Sequence, residues 1–276
     1  MKDLKIDSKV GLSNGVEMPI FGLGTFQSRS GKETRDAVAG ALRVGYRHID
    51  TASMYGNEED VGAAIKESGV PREEIFVTTK LWNSDHGYDS ALAAFERSRR
   101  RLDLSYVDLY LIHWPVEDVR NESWRALETL LEEGKCRAVG VSNYMTRHLE
   151  ELLEKSSTVP AVNQVEFSPY LYQRDLLEFC RRSNIQLESY SPLTKGRKLD
   201  DPKLIALASK YSKSAAQVLI RWALQHRIVV IPKSSRRERI VENAGVFDFV
   251  ISPEDMKALD LFDQDLRTSW DPSTAP

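Results

Sequence analysis

Four polar side chains in the first half of the 276-residue sequence could act together as a proton-transfer site: Asp50, Tyr55, Lys80 and His113. Asp50, Lys80 and His113 each lie where an apolar, β-branched run ends and polar residues begin. A phenol can donate a proton, an ammonium group can make the phenol more acidic, and a carboxylate can keep the ammonium charged. An imidazole beside them could orient a substrate. The set indicates acid–base chemistry with Tyr55 as the donor.

Each of these residues also fits a simpler role when it is taken alone. Tyr55 could be a loop aromatic, Lys80 a solvated strand end, and His113 a structural histidine. A free phenol has a pKa near 10, so Tyr55 is expected to depend on Lys80 to lower its pKa. Asp50 is expected to pair with Lys80. The ordered set, rather than any single member, favours a catalytic site.

The elements that must position these residues follow a regular alternation of apolar runs and amphipathic segments. Eight short runs predict strands, and eight longer segments predict helices between them. This alternation favours a parallel sheet covered by helices, and eight repeats in about 250 residues fit an α/β fold, the (β/α)8 TIM barrel. An open doubly wound sheet is the alternative. In a barrel, the carboxyl ends of several strands build the active site.

The predicted strands are 20–24, 46–49, 75–79, 107–112, 138–141, 161–165, 186–189 and 229–231. The predicted covering helices are 32–44, 58–68, 89–102, 122–133, 146–155, 174–182, 214–225 and 237–244. The dipeptide Asn14-Gly15 predicts an N-terminal β-hairpin. Extra helices are expected at 202–211, before the seventh covering helix, and at 253–262, near the C-terminus. No Gly-, Pro- or Ser-rich linker interrupts the chain, so residues 1–276 are expected to form a single domain.

Composition bounds the partners and the cellular location. The net charge of −3 gives no electropositive field for nucleic acid. Two cysteines, Cys136 and Cys180, cannot build a disulfide framework. No apolar stretch approaches the ~20 residues that span a bilayer, and the charged N-terminus has no signal core. A monomeric cytoplasmic protein with a small-molecule substrate is expected, without nucleic-acid or membrane partners.

Several other motifs are incomplete. The run from Gly22 has Gln27 where the Rossmann dinucleotide fingerprint requires its third glycine. No Tyr-x-x-x-Lys sequence is present, which argues against the short-chain reductase arrangement. The five histidines form no His-Glu-x-x-His motif and have no Cys-x-x-Cys partner, so no metal site is expected.

The segments that carry the four residues resemble the aldo-keto reductases. The resemblance extends from about residue 15 to about residue 265, and the short segment after Tyr190 and the short tail resemble the bacterial 2,5-diketogluconate-reductase-like branch. The matching segments are 45–52 (GYRHIDTA), 55–58 (YGNE), 109–115 (LYLIHWP), 140–144 (GVSNY), 162–166 (VNQVE), 231–235 (IPKSS) and 239–243 (RIVEN).

This resemblance implies a (β/α)8 barrel that uses NADP(H) without metal or flavin to reduce aldehydes and some ketones to alcohols. It implies that Tyr55 donates the proton, that Lys80 and Asp50 tune Tyr55, and that His113 orients the carbonyl. The hydride would come from C4 of the nicotinamide. Donors placed where negative charge develops on the carbonyl oxygen would lower the barrier.

The residues around Lys233 indicate the cofactor independently. Lys233, Ser234 and Arg239 suit a monoester phosphate near a helix start, which favours NADPH over NADH. Arg236 and Arg237 fit a solvated surface better. By resemblance, the other cofactor-binding residues are Gly24, Thr25, Asp50, Ser142, Asn143, Gln164, Tyr190, Ser191, Leu193, Glu242 and Asn243. The expected substrate-binding residues are Phe26, Trp82, His113 and Trp114.

Two alternatives use the same residues differently. Some aldo-keto reductases act as cofactor-sensing subunits of ion channels, so a regulatory subunit with little turnover is one alternative. A barrel aldolase that forms a Schiff base on Lys80 is the other. Pairing with Asp50 would keep Lys80 charged and non-nucleophilic, which disfavours the aldolase.

Overall fold

A computed structural model describes residues 4–275 and begins with the expected hairpin. Its strands are β1 (Lys9–Gly11) and β2 (Glu17–Pro19), which pair antiparallel. Eight further strands follow, and each pairs in parallel with the next along the chain. They are β3 (Leu23–Gly24), β4 (His48–Asp50), β5 (Phe76–Leu81), β6 (Val107–Ile112), β7 (Cys136–Ser142), β8 (Val162–Glu166), β9 (Gln186–Tyr190) and β10 (Val229–Val230).

The first and last strands of this sheet meet and close it. The Gly22 amide donates to the Val230 carbonyl at 2.9 Å, and the Val230 amide donates to the Ile20 carbonyl at 3.0 Å. Gly24 also forms a parallel bridge with Lys233. The prediction of a (β/α)8 barrel is therefore confirmed, and the open doubly wound alternative is wrong.

Helices cover the outside of the barrel. Both extra helices are present: α7 (Pro202–Lys210) lies before the seventh covering helix, and α10 (Pro253–Asp260) lies near the C-terminus. The helices are α1 (Lys32–Val44), α2 (Glu58–Glu67), α3 (Tyr88–Leu102), α4 (Arg120–Glu132), α5 (Thr146–Lys155), α6 (Arg174–Arg182), α7 (Pro202–Lys210), α8 (Ala215–Gln225), α9 (Arg237–Ala244) and α10 (Pro253–Asp260). Within residues 4–275, no helix has both the length and the apolar character needed to cross a membrane.

Local sequence explains several element boundaries. Ser214 and Gln217 form a reciprocal capping box that starts α8. Gly45 ends α1 with a φ of 110°, in the left-handed region that favours glycine. A Cβ atom on Gly24 would lie 2.8 Å from the carbonyl oxygen of Ile231, so glycine permits the close approach of the closing strands.

The predicted catalytic residues lie at the carboxyl ends of the strands, with small shifts from the predicted strand boundaries. Asp50 is the last residue of β4, Lys80 lies inside β5, and His113 directly follows β6. The predicted strands end one residue before Asp50 and two residues before the end of β5, because the apolar run stops before the backbone pairing does. Asp50 and Lys80 are at most 2% exposed.

Candidate active site

Lys80 links Asp50 to Tyr55 in the buried centre of the site. Its ammonium donates to both carboxylate oxygens of Asp50, at 2.7 and 2.8 Å, and to the Thr51 carbonyl at 2.9 Å. The Tyr55 hydroxyl lies 3.3 Å from the same nitrogen. A buried ion pair with this many hydrogen bonds satisfies both charges. Three of the four predicted catalytic residues therefore form one continuous chain.

His113 stands beside Tyr55 at the mouth of the barrel. The two ring centroids are 5.8 Å apart, and the Trp82 ring lies 5.2 Å from His113 on another side. The Asn143 side-chain amide donates to the His113 carbonyl at 3.0 Å, which fixes the backbone of this residue. The fourth predicted residue thus joins the other three.

Burial sets the protonation states of the site. Burial alone would lower the pKa of Lys80, but Asp50 and Tyr55 outweigh it and raise that pKa above its ordinary value. Burial raises the pKa of Tyr55 to about 12, although Lys80 opposes the rise. The expectation that Lys80 makes Tyr55 more acidic than a free phenol is therefore wrong for the net shift. Burial, assisted by Lys80, lowers the pKa of His113 well below its usual range.

A second carboxyl group lies beneath the site. Gln164 donates from its side-chain nitrogen to Asp50 and to Glu188, each at 2.8 Å. Burial first, and then the negative charge of Asp50, raise the pKa of Glu188 to about 8. Burial lowers the pKa of the neighbouring His48 to about 3, so His48 is neutral. The positive charge of Lys80 balances the Asp50 carboxylate, and the Glu188 carboxyl group stays protonated near neutral pH. Sequence reasoning missed Glu188, whose neighbours give it no motif.

This proton predicts a pH dependence of stability. Glu188 holds a proton up to about pH 8 in the folded protein and up to about 4.5 when it is unfolded. The folded state binds more protons in that window, so its stability is greatest below the lower value and falls as pH rises. The groups that face Glu188 are Asp50, Lys80, His48 and Gln164, and all four are unchanged in Glu188→Gln. Because a glutamine side chain does not titrate, the stability of this variant should fall less as pH rises. Urea unfolding of both proteins at about pH 5 and about pH 8 checks this; parallel pH profiles would contradict it.

One continuous cleft of about 860 Å³ runs from Tyr55 and His113 to Lys233 and Arg239. Thr25 does not line the cleft: it is buried, and its hydroxyl donates to the Asp50 carbonyl at 2.9 Å. The expected cofactor residues that line the cleft are Gly24, Asp50, Ser142, Asn143, Gln164, Tyr190, Ser191, Leu193, Lys233, Ser234, Arg239, Glu242 and Asn243. The expected substrate residues that line it are Phe26, Trp82, His113 and Trp114.

The wall between His113 and Tyr190 is rigid because its polar groups bind one another. The Tyr190 hydroxyl donates to the Asn143 side-chain oxygen at 2.8 Å, and the Ser142 hydroxyl donates to the Gln164 carbonyl at 2.8 Å. The polar atoms of Asn143 are thus engaged within the protein. Its position in the wall supports both neighbouring rings.

The far end of the cleft carries the donors expected for a phosphate. Lys233 is exposed there, with its ammonium 3.3 Å from the Gln27 carbonyl, and Arg239 is exposed on α9. Ser234 adds a hydroxyl at the same end. Two cations and a hydroxyl fit a phosphate monoester. Arg236 and Arg237 are exposed and do not line the cleft.

The C-terminal tail forms part of the cleft wall, which sequence reasoning did not assign by residue. Thr268, Ser269 and Trp270 line the cleft. The backbone amides of Thr268 and Ser269 donate to the buried Glu166 carboxylate at 2.8 and 3.0 Å, and the Thr268 hydroxyl donates to it as well. The Trp270 ring centroid lies 5.8 Å from that of Trp114. A lone tryptophan in a polar tail was the available signal.

Potential metal ligands are not gathered anywhere in the described part of the chain. Among residues 4–275, no three His, Cys, Asp or Glu side chains are close enough to hold an ion together.

Comparison with known proteins matches the geometry. A sequence model described as the aldo/keto reductase family matches residues 20–264. A glyoxal reductase from Bacillus subtilis (strain 168) is 54% identical over 263 residues, which cover 95% of each chain. A crystal structure of an aldo-keto reductase from a Medee basin deep-sea metagenome library has a TM-score of 0.94 at 47% identity, and covers 98% of this chain and 100% of that one. A Bombyx mori aldo-keto reductase, solved in complex with NADP, has a TM-score of 0.89 at 36% identity and covers 96% and 95%.

Proposed function

This chain belongs to the aldo/keto reductase family and is an NADP-dependent oxidoreductase, and on that premise we propose that it uses NADPH to reduce aldehydes and some ketones to alcohols. One observation carries the proposal. The buried chain from Asp50 through Lys80 to Tyr55 ends at a cleft whose other end presents Lys233 and Arg239. A proton donor and a phosphate-binding end in one cleft suit hydride transfer from a dinucleotide to a small carbonyl compound.

NADPH, when bound, would supply a hydride to the carbonyl carbon. Negative charge then develops on the carbonyl oxygen, and the Tyr55 hydroxyl donates its proton there to give the alcohol. With a pKa of about 12, Tyr55 holds this proton at neutral pH until the oxygen becomes basic. Lys80 stabilises the phenolate that is left, and Asp50 holds Lys80 in place.

His113 orients the carbonyl oxygen as a neutral donor. Its Nδ1 is buried and has no hydrogen-bond partner among residues 4–275. That favours the tautomer with the proton on Nε2, which can donate to an oxygen in the cleft. A neutral imidazole leaves the proton transfer to Tyr55.

The remaining cleft residues divide by position along the dinucleotide. Lys233, Ser234 and Arg239 would bind the adenosine phosphate, while Ser191 and Leu193 would meet the pyrophosphate. The residues at the other portions are Glu242 and Asn243 at the adenine, Gly24 at the ribose or nicotinamide, and Ser142, Asn143, Gln164 and Tyr190 at the nicotinamide. Thr25 supports the site from behind through Asp50.

The aromatic mouth favours small or flat aldehydes. The rings of Phe26, Trp82, Trp114 and Trp270 surround the opening, and aromatic faces suit planar carbonyl groups. The similarity to a glyoxal reductase points the same way. Glyoxal, methylglyoxal and 4-nitrobenzaldehyde should each be reduced, faster with NADPH than with NADH, as followed by the absorbance of the reduced nicotinamide. Tight NADPH binding without turnover of any aldehyde or ketone would instead favour the regulatory-subunit alternative.

The same assay also tests the preference for NADPH over NADH. Arg239→Ala should raise the KM for NADPH by roughly 10- to 100-fold, because a charge-assisted pair with the phosphate is lost. The KM for NADH, which lacks that phosphate, should not change. Arg237→Ala is the matched control, since Arg237 is equally exposed on α9 but does not line the cleft. Equal effects on both cofactors would place the phosphate elsewhere.

The aldolase alternative fits the geometry poorly. Lys80 is fully buried, and its ammonium donates hydrogen bonds to Asp50, Thr51 and Tyr55. Its raised pKa keeps it protonated, whereas a Schiff base requires the free amine. Borohydride trapping of a carbonyl compound on Lys80 should therefore fail. The single domain, the monomeric state and the cytoplasmic location stay predictions.

A further inference from the structure

Glu188 lies behind the cleft wall and has no part in the proton transfer described above. It does not line the cleft and is fully buried. It is the register partner of Gln164 on the adjacent parallel strand, so the two side chains point to the same side of the sheet, into the barrel. Its carboxyl oxygen accepts a hydrogen bond from the Gln164 side chain at 2.8 Å.

The Gln164 side-chain amide has two N–H groups, and two acceptors lie within hydrogen-bond distance of its nitrogen. One acceptor is Asp50 and the other is Glu188, both 2.8 Å from the amide nitrogen. With both N–H groups engaged, the side-chain oxygen is the part of the amide that remains for a ligand. Gln164 lines the cleft, so a ligand meets an acceptor there and not a donor.

A flipped amide would lose these interactions. Rotation by half a turn would place the Gln164 oxygen against the Asp50 carboxylate, which pairs with Lys80, and would turn the N–H groups away from Asp50 and Glu188. The Gln164 oxygen and the Asp50 carboxylate would repel each other, and the two N–H groups would lose their partners. Asp50 holds one N–H group and Glu188 holds the other, so the amide is held in this orientation from two sides.

We infer that Glu188 is a positioning residue that, together with Asp50, fixes Gln164 so that its oxygen selects a hydrogen-bond donor in the cleft. The inference rests on the proposed function, in which the nicotinamide lies beside Gln164. The primary amide of nicotinamide is such a donor. A cofactor with a methyl ketone in place of that amide, the 3-acetylpyridine analogue of NADP⁺, cannot donate. Discrimination between the two cofactors therefore measures the orientation of Gln164.

The test compares three proteins: the wild type, Glu188→Gln and Glu188→Met. The two substitutions are similar in size, but glutamine keeps an oxygen that can accept from Gln164, whereas methionine offers only a weak acceptor. Quenching of tryptophan fluorescence gives Kd for NADP⁺, for the acetylpyridine analogue and for 2′,5′-ADP. The last ligand has no nicotinamide, so it reports an intact phosphate end without turnover.

The wild type should bind NADP⁺ more tightly than the analogue, and Glu188→Met should reduce that ratio by roughly fivefold to tenfold, the usual effect of one hydrogen bond. Glu188→Gln should keep the ratio within about twofold, and all three proteins should bind 2′,5′-ADP alike. An unchanged ratio in Glu188→Met, with 2′,5′-ADP still bound, overturns the inference alone. If the methionine variant fails to fold, loss of the ratio in Glu188→Gln overturns it and retention supports it. A wild type that binds none of the three ligands overturns the proposed function as well.

Discussion

Tyr55→Phe should lower kcat for NADPH-dependent aldehyde reduction by about 10²- to 10⁴-fold, the usual contribution of a positioned general acid. The substitution removes the hydroxyl 3.3 Å from the Lys80 ammonium and leaves the ring. That ring packs 5.0 Å from Phe26 and 5.8 Å from His113, centroid to centroid, so the shape of the cleft should be kept. The Kd for NADPH should therefore stay near the wild-type value.

Tyr110→Phe is the matched control for this prediction. Tyr110 is fully buried, and its hydroxyl has no hydrogen-bond partner within residues 4–275. Its removal should leave kcat unchanged. Steady-state kinetics give kcat, and fluorescence titration gives the Kd for NADPH. Wild-type turnover by the Tyr55 variant would show that another group donates the proton.

Lys80→Met should abolish most turnover and also destabilise the fold by about 3–5 kcal/mol, the usual cost of breaking a buried ion pair from one side. Methionine keeps much of the length of the lysine side chain but leaves the Asp50 carboxylate without its cation. That carboxylate is 2% exposed, so water cannot replace the ammonium. Urea unfolding at neutral pH measures the loss of stability, and NADPH oxidation measures the loss of turnover.

The double variant Asp50→Asn/Lys80→Met separates these two effects. It removes both charges, so much of the lost stability should return, because paired charges are often replaceable by neutral groups of similar size. Turnover should stay low, since the Tyr55 phenolate still lacks its ammonium. Lys66→Met is the surface control, because Lys66 pairs with Asp103 at 2.8 Å in full solvent and should change stability little. Equal instability of the single and double variants would contradict this account.

Much of the fold could be predicted because its signals are local. Hydrophobic periodicity and end signals gave the bounds of α1, α5, α6 and α9 to the residue. Asp50, Lys80 and His113 could be found because polar residues that end apolar runs collect at one end of a parallel barrel. Their assembly with Tyr55 then followed from the fold.

The remaining features depend on contacts between distant segments. The raised pKa of Tyr55 comes from the depth at which the completed barrel buries it, and no local pattern encodes that depth. Glu188 lies between Leu187 and Ser189 in β9 with no motif around it, and the groups that act on it, Gln164 and Asp50, come from other strands. Trp270 reaches the cleft because Glu166 holds the tail there, a contact that spans about a hundred residues.

The closing contact of the barrel also determines when the protein can first recognise its cofactor. The amide of Gly22 donates to Val230, which lies about two hundred residues later in the chain, and Lys233 pairs with Gly24 at the same seam. A chain emerging from the ribosome therefore contains the four proposed catalytic residues long before it contains the proposed phosphate-binding residue Lys233. Such long-range pairing is slow and comes late in folding. A dinucleotide bound across this seam, as proposed, contacts both closing strands. It stabilises the closed barrel in proportion to the logarithm of its concentration over Kd.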